Sequence, residues 1–307
     1  MNNQGTRFAA LEHRGLVTVA GPDSRAFLQG LLSNDLAQGG PGLAQWAALL
    51  TPQGKFLHEM FIAEPAVDEL WLEAESARIA DLVRRLSLYK LRAKVHIAPR
   101  PGAVYAAFGE GAAGALGLEA GRGHARAFAG GIAFVDPRLA AAGVHILGEP
   151  PAIEQALRER GLSPASAAQW DAHRLRLGLP DGSRDLPIEK AMLLESGFEE
   201  LAGVSFAKGC YIGQELTART KHRALIKRRL LPVEIDGPAP APGTPIMLDG
   251  KDAGEMRSSI DGIGLALIRL EALDRNANGA APLSAGEARL TPFKPVWAIL
   301  PDTEGQP

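Results

Sequence analysis

The sequence predicts an α+β protein built on antiparallel sheet and followed by a small all-β module, and three observations carry that prediction. Short apolar or β-branched runs mix irregularly with amphipathic helices up to about residue 229, without the regular strand–helix rhythm of a parallel sheet. Turn signals such as Thr51-Pro52-Gln53-Gly54 join neighbouring runs directly, as hairpins do. Past Arg229 the texture shifts to prolines and short β-like stretches. The 307 residues suffice for two cores, with the division expected between 1–229 and 230–307.

The elements follow in order. Residues 16–20 read as a strand ending at Gly21, and Pro22, Asp23 and Ser24 open a helix whose Phe27, Leu28, Leu31 and Leu32 share one face. Strands follow at 46–50, 55–63 and 69–75, then an amphipathic helix over 77–88 that turns Ile79, Leu82, Val83 and Leu86 inward. Further strands are expected at 94–98, 104–108, 132–135 and 144–147, and helices at 152–160 and 166–177. The Gly/Ala-rich stretch 109–131 lacks periodicity and reads as a loose connection. Pro232 and the run 237–243 read as a stiff linker. Beyond it, strands are expected at 246–248, 253–257, 264–268 and 296–300.

Composition narrows the function. A net charge of −2 excludes a chain that binds nucleic acid through overall charge. The one cysteine, Cys210, can neither form an internal disulfide nor supply a cluster of thiol ligands, so no resident metal is expected. The polar first seven residues lack the apolar core of a signal peptide, and no apolar run reaches the 18–20 residues of a membrane span. The expected location is the cytoplasm.

The most informative segment is Lys208-Gly209-Cys210-Tyr211-Ile212-Gly213-Gln214-Glu215. It reads as a strand end, a tight glycine turn and a helix beginning near Gly213. Gly209 and Gly213 would allow a backbone that β-carbons obstruct. A thiol ahead of a helix N-terminus and beside Lys208 lies where thiolate is favoured, and Gln214 and Glu215 place acceptors in the first turn. A lone cysteine is most often a small buried hydrophobe; the crowding of Lys, Gly, Cys, Gln and Glu into eight positions points instead to function. The residues Arg219, Lys221, His222, Arg223, Lys227, Arg228 and Arg229 form a run with no acid among them and no stacking aromatic. They suit an anionic tail or an acidic partner better than RNA.

The octapeptide resembles the signature KGCYxGQE of the YgfZ family, relatives of the aminomethyltransferase (T-protein) of the glycine cleavage system. Residues 216–220 and 180–187 are similar to the mitochondrial iron–sulfur assembly branch of that family. The resemblance extends to Ser33-Asn34-Asp35, to Gln53-Gly54-Lys55 and to Tyr89 with Arg92, Lys94 and Val95. It implies two related α+β, ferredoxin-like subdomains and a C-terminal β-barrel around a central channel that holds tetrahydrofolate. It implies Trp170, Asn34, Asp35, Tyr89 and Arg176 as folate-binding residues. Cys210 becomes the reactive group with Lys208 as its charge partner, in a motif completed by Gly209, Tyr211, Gly213, Gln214, Glu215 and Arg219. Two positions depart from the family: Arg176 stands where relatives carry a Glu that bonds the pterin edge, and Arg14 where bacterial members carry a second tryptophan. His58-Glu59 matches the acidic pair of the transferase, but neighbouring strand residues face opposite sides.

The function so implied is that of a folate-binding accessory protein in iron–sulfur cluster assembly or repair. Its partners would be assembly proteins and client cluster enzymes, tRNA-modifying ones included, with no nucleic acid or membrane partner. The alternative is a tetrahydrofolate-dependent aminomethyl transferase.

Overall fold

The computed structural model describes residues 5–222, 226–277 and 282–300. In chain order the first half comprises β1 (Arg7–Ala10), β2 (Arg14–Ala20), α1 (Ser24–Gln29), β3 (Gln45–Leu50), β4 (Phe56–Ala66), β5 (Glu69–Glu75), α2 (Ile79–Tyr89), β6 (His96–Arg100) and β7 (Ala103–Phe108). There follow α3 (Ala112–Ala115), β8 (Ala125–Phe128), β9 (Gly131–Val135), β10 (Val144–Gly148), α4 (Pro150–Glu159), β11 (Ser163–Pro164), α5 (Ala167–Arg176), α6 (Gly182–Asp185) and α7 (Gln214–His222). The chain closes with β12 (Arg228–Asp236), β13 (Pro245–Leu248), β14 (Lys251–Ile260), β15 (Ile263–Arg269), α8 (Leu270–Ala277), β16 (Leu283–Ala285) and β17 (Ala288–Pro292).

Alternation along the strands decides the layers. In β2, Val17 and Val19 face α1 and α2, whereas Leu16 faces the middle of the molecule. Strand β4 repeats this, with Met60 and Ile62 on the helix side and Phe61 and Ala63 on the inner side. The five strands join in the antiparallel order β3-β4-β5-β2-β6. A second sheet has the order β11-β1-β7-β10-β9-β8, antiparallel except for the β1–β11 pair. Ile153 and Leu157 of α4 cover its outer face. The inner faces of both sheets, α5 and β15 of the barrel share one central core that includes Trp46, Phe61, Phe108, Phe134 and Trp170. Strands β12-β15-β14-β13-β16-β17 close into a barrel, which leaves no open sheet edge.

The hairpin turn lies where its sequence signal put it. Thr51 N–H donates to Lys55 O and Gly54 N–H donates to Thr51 O, both at 2.8 Å, with Gly54 at φ +69°. Helix α5 begins with a capping box: Ser166 accepts from Gln169 N, and the Gln169 side chain accepts from Ser166 N.

Four expectations need correction. The 109–131 stretch is ordered, holding α3 and β8: Leu116, Leu118 and Phe128 pack into the core of the second sheet, and its glycines permit close backbone contacts. A β-carbon on Gly109 would lie 2.3 Å from Gly5 O, and one on Gly123 would lie 2.4 Å from Ala44 O. Pro232 lies inside β12, and 237–243 is a loop of the barrel, held by Ser259 Oγ donating to Pro240 O and by Gly243 N donating to Met256 O. Residues 296–300 form no strand; Trp297 Nε1 instead donates to Leu177 O at 2.7 Å, tying the tail to the end of α5. The segment before Gly213 is an irregular loop and not a strand end.

Candidate functional site

The signature segment is an exposed loop held rigidly from beneath. Cys210 is a free, exposed thiol, while Tyr211 beside it is buried. The anchor is Lys208, which was expected to pair with the thiol. Its ammonium is buried and donates to Gln29 O (2.7 Å), Leu32 O (2.7 Å) and Asn34 O (2.8 Å), the carbonyls left open where α1 ends. Burial pushes Lys208 down to about 8 against the opposing pull of Asp35, and its Nζ sits 5.1 Å from the Tyr211 ring centroid. Lys208 is thus a tether of the loop.

The two glycines flanking Cys210 play different parts. Gly213 has φ +81°, and a β-carbon there would meet Thr51 O at 2.5 Å and Gly54 Cα at 3.0 Å. At its partner Gly54, likewise left-handed, a β-carbon would lie 3.0 Å from Gly213 O, so the β3–β4 turn packs glycine to glycine against the start of α7. A β-carbon on Gly209 would have nothing within 4 Å, and its backbone is not left-handed. The expectation that both glycines are sterically required is therefore corrected to Gly213 alone. In α7, Gln214 is half-buried, and Glu215 pairs with Arg219 at 2.9 Å on the exposed face.

Much of the basic run is paired in three dimensions. Arg228 pairs with Glu195 at 3.0 Å, Arg229 with Glu200 at 2.5 Å, and Lys221 with Glu199. The acids come from a segment some thirty residues earlier, which proximity in sequence could not reveal. Arg223 lies outside the described residues.

The residues expected to hold folate do not converge. Trp170 is buried in the central core against Phe108 (5.5 Å between centroids) and His145 (5.8 Å). Arg176, six residues along the same helix, lies about 120° away around its axis. It faces a cleft of about 580 Å³ beside the barrel, lined also by Glu234, Asp236 and Asp261. Asn34 donates to Trp46 O and Ala202 O, and Asp35 accepts from Ala37 N and Gln29 Nε2, so both pin backbone. Tyr89 is exposed at the end of α2.

Charged side chains from both sheets meet in the buried centre. Buried Arg14 donates to Glu59 (2.5 Å), Glu73 (3.1 Å) and Asp181 (2.9 Å). Glu59 also accepts from Trp46 Nε1 at 2.6 Å. Glu73 accepts from His145 Nδ1 at 2.9 Å, and the other imidazole nitrogen faces Asp136 at 3.3 Å. Asp136 is held in turn by Arg138, whose Nη1 donates to Pro180 O at 2.7 Å. Burial works against charging His145, but Glu73 and Asp136 overcome it and push the imidazole up to about 9. Burial opposes ionisation of Asp181, yet Arg14 and His13 hold its carboxyl well below the usual range. The carboxylates of this cluster are committed to cations and N–H donors, while Arg14 also lines an open cleft of about 420 Å³ with Leu16, Ser76, Ile79 and Arg100. Glu59, the one carboxylate left of the transferase pair, is committed to Arg14 and Trp46, while its neighbour His58 points the other way to Asp81 at 2.9 Å. A cleft of about 270 Å³ opens at the rim of this cluster, lined by Glu12, His13, Glu75, Asp181 and Arg184. No group of His, Cys, Asp and Glu suited to a metal ion occurs among the described residues, and no described helix is long and apolar enough to cross a membrane.

Of this cluster only Arg14 and Glu59 stood out in the sequence, through the resemblance and not as partners, and Trp297 did not. Its members come from β2, β4, β5, β10 and two loops, and the only signal was negative: charged residues at strand positions that alternation turns inward.

Comparison with known proteins adds the following. Residues 227–299 match the family model described as the CAF17 C-terminal beta-barrel domain. The iron-sulfur cluster assembly factor IBA57, mitochondrial, of Mus musculus is 34% identical over 95% of this chain and 84% of its own length. The Homo sapiens protein of the same name is 38% identical over 84% of this chain and 76% of its own. Aminomethyltransferase T of the glycine cleavage system from Bartonella henselae superposes with a TM-score of 0.76 over 95% of this chain and 86% of that one, at 15% identity, a likeness of fold. The relatives are named as mitochondrial proteins, which overturns the cytoplasmic placement expected from the polar N-terminus.

Proposed function

This chain belongs to the IBA57 family of iron–sulfur cluster assembly factors, and from that premise we propose that it works as an accessory protein in cluster assembly, with Cys210 as its point of chemical contact. The observation that carries the reading is the contrast within one short loop: Lys208 and Gly213 are fixed by carbonyls and backbone, while the thiol between them is free and exposed. A single thiol cannot hold a cluster. It can give up its proton to water and supply one thiolate to an iron whose other ligands sit on a partner. The partners are accordingly cluster-carrying assembly proteins and client enzymes, with tRNA-thiolating enzymes a client class to examine first.

This reading of the thiol does not depend on folate, since the side chains of Trp170, Asn34 and Asp35 are engaged in core packing and backbone contacts. Titration with tetrahydrofolate should leave tryptophan fluorescence without saturable quenching up to millimolar ligand; saturable quenching abolished by Trp170→Phe would restore a pterin site. The test of the thiol is activity of cluster enzymes in cells lacking the native protein. Wild type should restore it and Cys210→Ala should not; equal restoration by both removes the thiol from the mechanism.

A further inference from the structure

We propose that the C-terminal end of α2 is a docking knob for a partner protein that presents an acidic rim around an apolar depression. The proposal rests on the assembly-factor reading and names the surface by which that partner is held. Three large apolar side chains stand out together where α2 ends: Leu88 is 67% exposed, Tyr89 43% and Leu91 90%. Leu91 also has φ +41°, just past the helix cap, where the fold is best served by Gly or Asn. A leucine there is strained and touches almost nothing, so its side chain does no work for this chain's own core.

Cations flank the knob along the chain. No acid occurs between Asp81 and Glu110, and the exposed side chains of Lys90, Arg92 and Lys94 have no acidic partner among the described residues. Arg84 and Arg85 are different, since both pair with Asp81. An apolar centre with a positive rim complements an acidic protein surface.

The position of the knob ties it to the thiol loop. Asp23, the N-cap of α1, accepts from Lys94 N at 2.7 Å, and Lys208 grips the carbonyls at the other end of the same helix. The six residues of α1 span about 9 Å. One short helix therefore carries the knob at one end and the Cys210 loop at the other, within the footprint of a single protein interface.

The test places a photo-cross-linking phenylalanine at position 91 of the full chain in cells lacking the native protein, with position 296, equally exposed on the tail, as the control. Position 91 should yield one adduct with an acidic iron–sulfur assembly protein identified by mass spectrometry, and position 296 should not. For the complex so identified, Leu91→Gly should weaken binding at least tenfold while leaving the melting temperature unchanged or higher, since it relieves the left-handed backbone. Arg92→Glu should weaken it further as salt is lowered. Cys210→Ser separates the two ideas: it should lose cluster delivery yet keep the adduct, and if cluster delivery survives Cys210→Ser while the adduct persists, the thiol reading alone fails. Adducts with lipid or nucleic acid only, co-sedimentation with vesicles of anionic phospholipid that Leu91→Gly abolishes, or unchanged affinity of Leu91→Gly would overturn the docking proposal.

Discussion

The interior cluster around Arg14 and the surface loop around Cys210 are both dense in polar groups, yet they use polarity in opposite ways. In the cluster, every charge answers another: Arg14 meets three carboxylates, and His145 bridges Glu73 and Asp136. In the loop, polar contacts end at Lys208 and leave the thiol open. The difference teaches that density of ionisable residues does not locate function. A buried charge with all its partners present stabilises one arrangement of the chain; a group held in place but left exposed is the one that can react with another molecule.

The sharpest way to break this comparison is to remove one charge from the centre. Arg14→Leu strands Glu59, Glu73 and Asp181 without a cation and should cost about 3–5 kcal/mol in urea unfolding. A loss under 1 kcal/mol would mean that the cluster is not a structural keystone.

The next effect is a pH dependence. The His145 imidazole is raised in the folded protein to about 9 from an ordinary value of 6.5. Its contribution is complete below 6.5 and is lost as pH climbs through 9, on the order of 3 kcal/mol in all. Melting temperature should fall across that window in wild type and fall less in His145→Gln.

A smaller contrast lies within the loop itself. Gly213→Ala should cost about 2 kcal/mol, since its β-carbon meets Thr51 O and its backbone is left-handed. Gly209→Ala, in open space, should change stability by less than about 0.5 kcal/mol. Thermal unfolding of the two variants side by side checks whether steric need falls on Gly213 alone.

The smallest change in stability should accompany the largest change in function. Cys210→Ser should unfold within about 0.5 kcal/mol of wild type, because the side chain is exposed, while delivery of clusters to client enzymes fails. Loss of the fold in that variant would move Cys210 from the surface role to the structural one.

Much of this protein was legible in its sequence because the relevant physics is local. The hairpin at 51–54, the capped start of α5 and the helix opening after Gly213 depend on turn residues and caps acting over a few positions, and each occurs where expected. Strand alternation also placed His58 and Glu59 on opposite faces. The corrected expectations share another feature: each concerned a residue whose meaning depended on a distant partner. Lys208 looked like the companion of the adjacent thiol, but its partners lie more than 170 residues away at the end of α1. The basic run looked unopposed until Glu195, Glu199 and Glu200 folded against it.

The sequence by itself determined the α+β class with its closing barrel, the order of the main elements and the family to which the chain belongs, since periodicity, turn chemistry and a specific octapeptide are all short-range signals. Only the tertiary structure decided that Arg14, Glu59, Glu73, Asp136, His145 and Asp181 form one cluster, that Trp170 is core and that Cys210 stands free. The reason is physical: alternation tells which face of a strand a side chain takes, but not which charge from 45 or 167 positions away will be waiting there.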